Sequence, residues 1–235
     1  MSGRRMTCER VVVEVPSRRM SGRDPAPRGR HAPPLEVRQD RQRRRLYAAA
    51  ASVFARMGYA DATAEAIARE AGMSKATFYQ HFDNKEDCIV ALFDAGALAV
   101  VEAMRRAGAE AAVGGPAGRV MAIVHTYLEA LASFPDEAQT LLVEIIGAGP
   151  RAMERRDRAL AEYARTIDDV NREDADLGLA PRLASIHDAF AIVGAVVELA
   201  SRQIRTGDPD EIREVEPVIE RLVLGVLQTG ARTPA

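Results

Sequence analysis

Between Thr63 and Phe82 the chain has room for only two short helices, and Gly72-Met73-Ser74 between them forces a sharp bend. Ahead of the bend Ala64, Ile67, Ala68 and Ala71 recur at helical spacing, with Thr63 where an N-cap belongs; beyond it a second short helix runs to about His81. Two short helices joined by a glycine-bearing turn form a helix-turn-helix. A longer pattern precedes them: from Arg38 onward Leu46, Ala49, Ala50, Val53, Phe54 and Met57 repeat every three or four residues until Gly58 stops the helix.

In the second short helix Phe78 and Phe82 stand four apart, as core anchors do, while Lys75, Thr77, Tyr79, Gln80 and His81 take most of the remaining surface. A nucleic-acid duplex accounts for that polar set. A short helix in the major groove brings its first residues to base edges, while hydroxyl, imidazole and ammonium groups meet phosphates.

The rest of the chain is helical as well. Asn84 caps a helix with Ile89, Leu92, Phe93 and Ala97 on its apolar face, running toward Ala107 and ending before Gly114-Gly115-Pro116. Further helices are predicted over about 117–133, 137–147, 150–175, 182–206 and 209–229, with Pro135, Pro150, Pro181 and Pro209 at or near their starts. No strand alternation competes, so the fold class is all-α. Three parts follow: a basic tail without period over 1–37, expected to be disordered; a helix-turn-helix domain over 38–83; and a larger helical body over 84–235.

The formal net charge of −2 hides an asymmetry, since the first 45 residues carry 13 Lys+Arg against 5 Asp+Glu and the remainder is net acidic. The basic end suits a polyanion or serves only as a solubilising tail. Met6 and Met20 compete with Met1 as the true start. No apolar run approaches the roughly 20 residues of a membrane span, and the arginine-rich beginning lacks a signal peptide's apolar stretch, which predicts a cytoplasmic protein. Cys8 and Cys88 make neither a metal cluster nor a disulfide framework. No metal or other cofactor is expected.

On these residues the segment Leu46 to Phe93 resembles the N-terminal DNA-binding domain of the TetR family of bacterial transcription regulators. The resemblance lies in FARMGYADAT at the end of the first helix and in IAREAGMSKATFYQHFDNKEDC, with its Gly72-Met73-Ser74 turn, its Thr77-Phe78-Tyr79 core, and Phe82 followed by Lys85-Glu86. It implies that Ser74, Lys75, Ala76 and Thr77 begin the recognition helix and read base edges, Lys75 donating to guanine and the Ala76 methyl meeting thymine. Ala76 departs from the glycine or proline frequent there. It further implies that Thr63, Tyr79, His81 and Lys85 touch phosphates. Read from the residues alone, Tyr79 also fits as a ring packed inward, His81 as a helix C-terminal cap, and Lys85 as a solvated first-turn charge. Arg43, Arg44 and Arg45, with Arg41, stand where an arm meets the DNA backbone or minor groove in several family members.

So small a reading head needs a second copy to span two half-sites about 34–36 Å apart, so a homodimer is expected. By resemblance the last two helices pair with their symmetry mates, through Phe190, Val193, Val197, Ile204, Ile219, Leu222 and Val226. The middle helices would enclose a cavity for an apolar or amphipathic effector. Its candidate liners, chosen for size and apolarity, are Met104, Met121, His125, Leu128, Tyr163 and Phe190, with Phe93, Tyr127, Phe134, Leu142, Ile145, Ile167 and Val193 behind them. No phosphate loop, metal-binding His pair or nucleophile elbow supports an enzyme. The acidic group Asp168, Asp169, Glu173, Asp174 and Asp176 reads as a solvated face. The implied function is a sequence-specific repressor binding double-stranded operator DNA and released by its ligand. The alternative is a ligand-free adaptor or activator whose body only dimerises or recruits protein.

Overall fold

The computed structural model describes residues 34–111, 115–206 and 209–230, so the tail up to residue 33, Cys8 and the choice of start lie outside the described residues. The described residues form helices joined by turns and loops, with no strand among them. Helix α1 (Leu35–Asp61) begins three residues before the expected Arg38, directly after Pro34, and breaks at Gly58. There φ is 77° and ψ is 156°, a backbone state that L side chains rarely adopt. Helices α2 (Ala64–Glu70) and α3 (Lys75–Tyr79) follow; α2 is capped as expected by Thr63, whose side chain accepts from the Ala66 N–H, and α3 by Ser74, which accepts from the Thr77 N–H. Gly72, at φ 64°, makes the bend between them.

The body starts with α4 (Lys85–Glu110), capped by Asn84, whose side chain accepts from the Asp87 N–H. It continues with α5 (Gly118–Ser133), α6 (Pro135–Leu142), α7 (Pro150–Asp176), α8 (Ile186–Thr206) and α9 (Glu216–Gly230). Helix α4 packs on α5 and α7, α7 on α8, and α1 of the head lies along α6. Their shared core includes Phe54, Ile67, Ile89, Ile123, Leu128, Ile145, Ile167 and Ile192, all fully buried.

Three boundaries further along the chain also differ from the sequence reading, each for a local reason. The segment expected as one helix over 137–147 is α6 plus a 3-10 turn at Glu144–Ala148, because Gly147 and Gly149 flank its end and cannot sustain an α-helix at little cost. The last helix, expected from 209, starts at Glu216, since Pro217 lacks an N–H and fits only a first turn; a 3-10 segment, Pro209–Val215, fills the interval. Helix α8 starts at Ile186 rather than 182, and buried Asn171 ties down the preceding loop: its Oδ1 accepts from the Leu183 N–H at 2.8 Å and its Nδ2 donates to the Pro181 carbonyl at 3.0 Å.

The acidic group on α7 is more than a solvated face. Asp168 and Asp174 are buried; Asp174 and Glu173 receive the Arg119 guanidinium at 2.8 and 2.9 Å, while Arg119 Nε donates to the Gly108 carbonyl at 2.7 Å. One arginine of α5 thus ties the end of α4 to the end of α7. Among the described residues no group of His, Cys, Asp and Glu is arranged to hold a metal ion, and no helix is long and apolar enough to cross a membrane.

Candidate DNA interface and effector cavity

The head is built on a ring pair. Phe78 is fully buried and Phe82 nearly so, their centroids 5.4 Å apart, and this anchor fixes which side of α3 faces outward. Ser74, Lys75 and Ala76 are exposed at the start of α3, and the Ser74 and Thr77 hydroxyls lie 2.9 Å apart. Lys75 Nζ is 3.9 Å from the exposed Glu65 carboxylate, a contact too solvated to hold it. Tyr79 is 49% exposed and rests only edge-on against Phe78, so its ring stands out from the head. Thr63 is exposed at the head of α2 while it caps that helix.

Three other residues of the expected DNA set are engaged inside the head. Lys85 Nζ donates to the carbonyls of Tyr59 at 2.8 Å, Ala60 at 2.8 Å and Ala62 at 3.1 Å, and it lies 4.5 Å from the Tyr59 ring centroid. A lysine ammonium has three N–H groups, and all are committed to the end of α1. Arg45 donates to the Ala71 carbonyl at 2.7 Å, bracing α1 against the end of α2. His81 is half-buried, with Nε2 3.3 Å from Gln42 Oε1; burial, and then the Arg43 charge, hold its pKa below the usual histidine value. Arg43 and Arg44 remain exposed on α1. Beside them a groove of about 450 Å³ runs between the start of α1 and the end of α3, lined by Leu35, Arg38, Gln39, Gln42, Gln80 and His81.

The body holds a small apolar cavity of about 20 Å³ between α4, α5, α7 and α8, lined by Met104, Ile123, Val124, Tyr127, Tyr163, Ile167, Val193, Val196 and Val197. It takes in Met104 and Tyr163 of the six leading candidates, and Tyr127, Ile167 and Val193 of the wider set. Ile123, Val124 and Val196 were not singled out, although they share helical stripes with Tyr127 and Val193. Val197, expected at a dimer contact, faces this cavity. Met121, His125, Leu128 and Phe190 lie outside it: Leu128 is fully buried in the core, His125 turns outward with Nδ1 3.2 Å from Glu216, and Phe190 is 44% exposed.

The set expected to dimerise divides in two. Val193, Val197 and Ile219 are buried within the protomer, Ile204 and Val226 are half-buried, and Phe190 and Leu222 are exposed. Ile186 on α8 and Val218 on α9 are exposed one turn before them.

Residues 46–92 match the model of the bacterial regulatory proteins of the tetR family. Among solved structures the fold resembles a TetR transcription regulator from Haloarcula marismortui, with a TM-score of 0.68 at 20% identity over 80% of this chain and 100% of that one. It also resembles the transcriptional regulator FadR from Bacillus subtilis in complex with stearoyl-CoA, with a TM-score of 0.67 at 22% identity over 77% of this chain and 98% of that one. A third likeness is to SmeT in its complex with triclosan, with a TM-score of 0.61 at 17% identity over 83% of this chain and 96% of that one.

Proposed function

We propose that this chain, whose residues 46–92 match the tetR family of bacterial regulatory proteins, is a homodimeric transcription repressor, released from a palindromic operator by a small molecule. In this reading residues 38–83 are the reading head, 84–235 the regulatory and dimerising body, and 1–37 a basic tail. The observation that carries it is the outward face of a helix anchored by buried Phe78, on which Ser74, Lys75, Ala76 and Tyr79 are exposed and Thr77 is half-exposed. Ser74, Lys75, Ala76 and Thr77 read base edges. Thr63, Tyr79, Arg43 and Arg44 bind phosphates, while Lys85, Arg45 and His81 hold the head in shape. The protein is a regulator rather than an enzyme and works in the cytoplasm, where its operator lies.

Stearoyl-CoA and triclosan, bound by two structural neighbours, each carry an apolar part, an acyl chain in one and chlorinated rings in the other, and the walls of the cavity here are apolar. Met104 and Tyr163 contact the effector directly; contact by Met121, His125, Leu128 or Phe190 requires the body to rearrange. Ligand and operator then weaken each other by the same factor. Footprinting of the purified protein on DNA flanking its own gene, with and without a panel of apolar metabolites, tests this. A protected palindrome cleared by one compound is the expected result.

A second reading has one observation in its favour: about 20 Å³ accommodates little more than one water molecule. A ligand-free adaptor or activator would give protection that no compound clears.

A further inference from the structure

Helix α7 carries six arginines, at positions 151, 155, 156, 158, 165 and 172. Five of them reach carboxylates: Arg151 meets Asp87, Arg155 meets Asp94 at 3.7 Å, Arg158 meets Glu154 at 3.6 Å, Arg165 meets Glu162, and Arg172 meets Asp168 at 2.7 Å. Among the described residues Arg156 has no such partner and makes no hydrogen bond, yet it is half-buried whereas four of the other five are exposed. A guanidinium drawn partly out of water without an anion is costly unless the anion arrives from elsewhere.

Its position says where that anion would sit. Arg156 is two helical turns before Tyr163 on the same stripe of α7, and Tyr163 lines the apolar cavity with its ring 6.0 Å from that of Tyr127 on α5. Burial and the neighbouring Tyr163 push the Tyr127 hydroxyl pKa up, and the Arg156 charge opposes them. Neither phenol makes a hydrogen bond among the described residues.

We infer that the effector is an amphipathic anion, its apolar chain between Met104, Ile123, Tyr163 and Val193 and its carboxylate or phosphate on Arg156. The inference rests on the ligand-released reading and adds the ligand's charge to it. Occupation parts α5 from α7, because the cavity is too small to admit a chain as it stands. A bidentate guanidinium contact suits either headgroup.

Calorimetric titration of the full chain with decanoate, decyl phosphate and decanol tests it, on the native protein and on Arg156→Gln and Arg156→Lys. At least one anion is expected to bind tighter than decanol by about tenfold or more, a charge-assisted hydrogen bond's worth. Arg156→Gln should bring that anion to the alcohol's level without weakening the alcohol, and Arg156→Lys should keep part of the preference. Which anion is preferred separates a carboxylate from a phosphate headgroup. Equal binding of all three, or a preference that survives in Arg156→Gln, overturns the charged ligand and leaves the ligand-released reading standing. Binding of none of them overturns the amphipathic anion as the effector, while the ligand-released reading is decided separately by whether any compound clears the operator footprint.

Discussion

Lys85 shows how one side chain can be read as a ligand and serve as a brace. Its ammonium meets three carbonyls at the broken end of α1, where the helix leaves orphan acceptors and the dipole favours a cation. Removing it strands those acceptors, so Lys85→Ala is expected to lower the stability to urea by roughly 1–3 kcal/mol, the cost of leaving partly buried polar groups unmet. Operator affinity should then fall only in step with the folded fraction. Unchanged stability with a loss of operator affinity and a shallower salt dependence would instead make Lys85 a phosphate ligand. Cys88 illustrates the opposite case: the thiol is fully buried, burial drives its pKa upward, and it packs in the core as a small hydrophobe.

At the scale of elements, the body grips the head at the break in α1. Because Gly58 leaves helical geometry, the Tyr59 N–H loses its place in the helix ladder, and the Glu144 carboxylate from the 3-10 turn after α6 accepts it at 2.8 Å. Gln139 Nε2 steadies that carboxylate from α6 at 3.0 Å, and Thr140 donates to the Ala51 carbonyl of α1 at 3.0 Å. A shift of α6 therefore pulls on the hinge from which α2 and α3 hang. Glu144→Ala is expected to speed hydrogen exchange at the Tyr59 amide by tenfold or more, corresponding to a charge-assisted bond of about 1.5–3 kcal/mol, while Phe78 keeps its protection. A Tyr59 amide as protected as before would mean that water or another group holds it. This link spans 85 residues of sequence and could not be read there, where Glu144 resembles any solvated helix charge. The caps at Thr63 and Asn84 were legible because their bonds close within three residues. Arg156 escaped for the same reason as Glu144: α7 alternates charges along its outer face, and only packing distinguishes the unpaired one. The start of α9 was readable in principle, since Pro217 forbids the longer helix.

At the scale of the whole molecule, α8 is apolar on two sides, and helical periodicity alone cannot assign one to the core and the other to a partner. Packing assigns them: Val193 and Val197 turn inward, whereas Ile186 and Phe190 on α8 and Val218 and Leu222 on α9 stay exposed at i, i+4 spacing. Exposed apolar rows on two packed helices suit a second copy of the same pair, which would form a four-helix interface across a two-fold axis. A charge placed in each row tests this without touching the protomer's core. Phe190→Glu combined with Leu222→Glu is expected to halve the mass measured by light scattering and to leave the helical circular dichroism unchanged. The functional cost follows from tethering. Two heads on one dimer make the second half-site contact intramolecular, so separating them should weaken operator binding by about 10²–10⁴-fold, while binding to an isolated half-site stays as it was. A double variant that remains dimeric would place the interface elsewhere on the body. One that becomes monomeric yet binds the full operator as tightly as before would mean that a single head reads the site, and half-site spacing would then have no part in how an effector releases it.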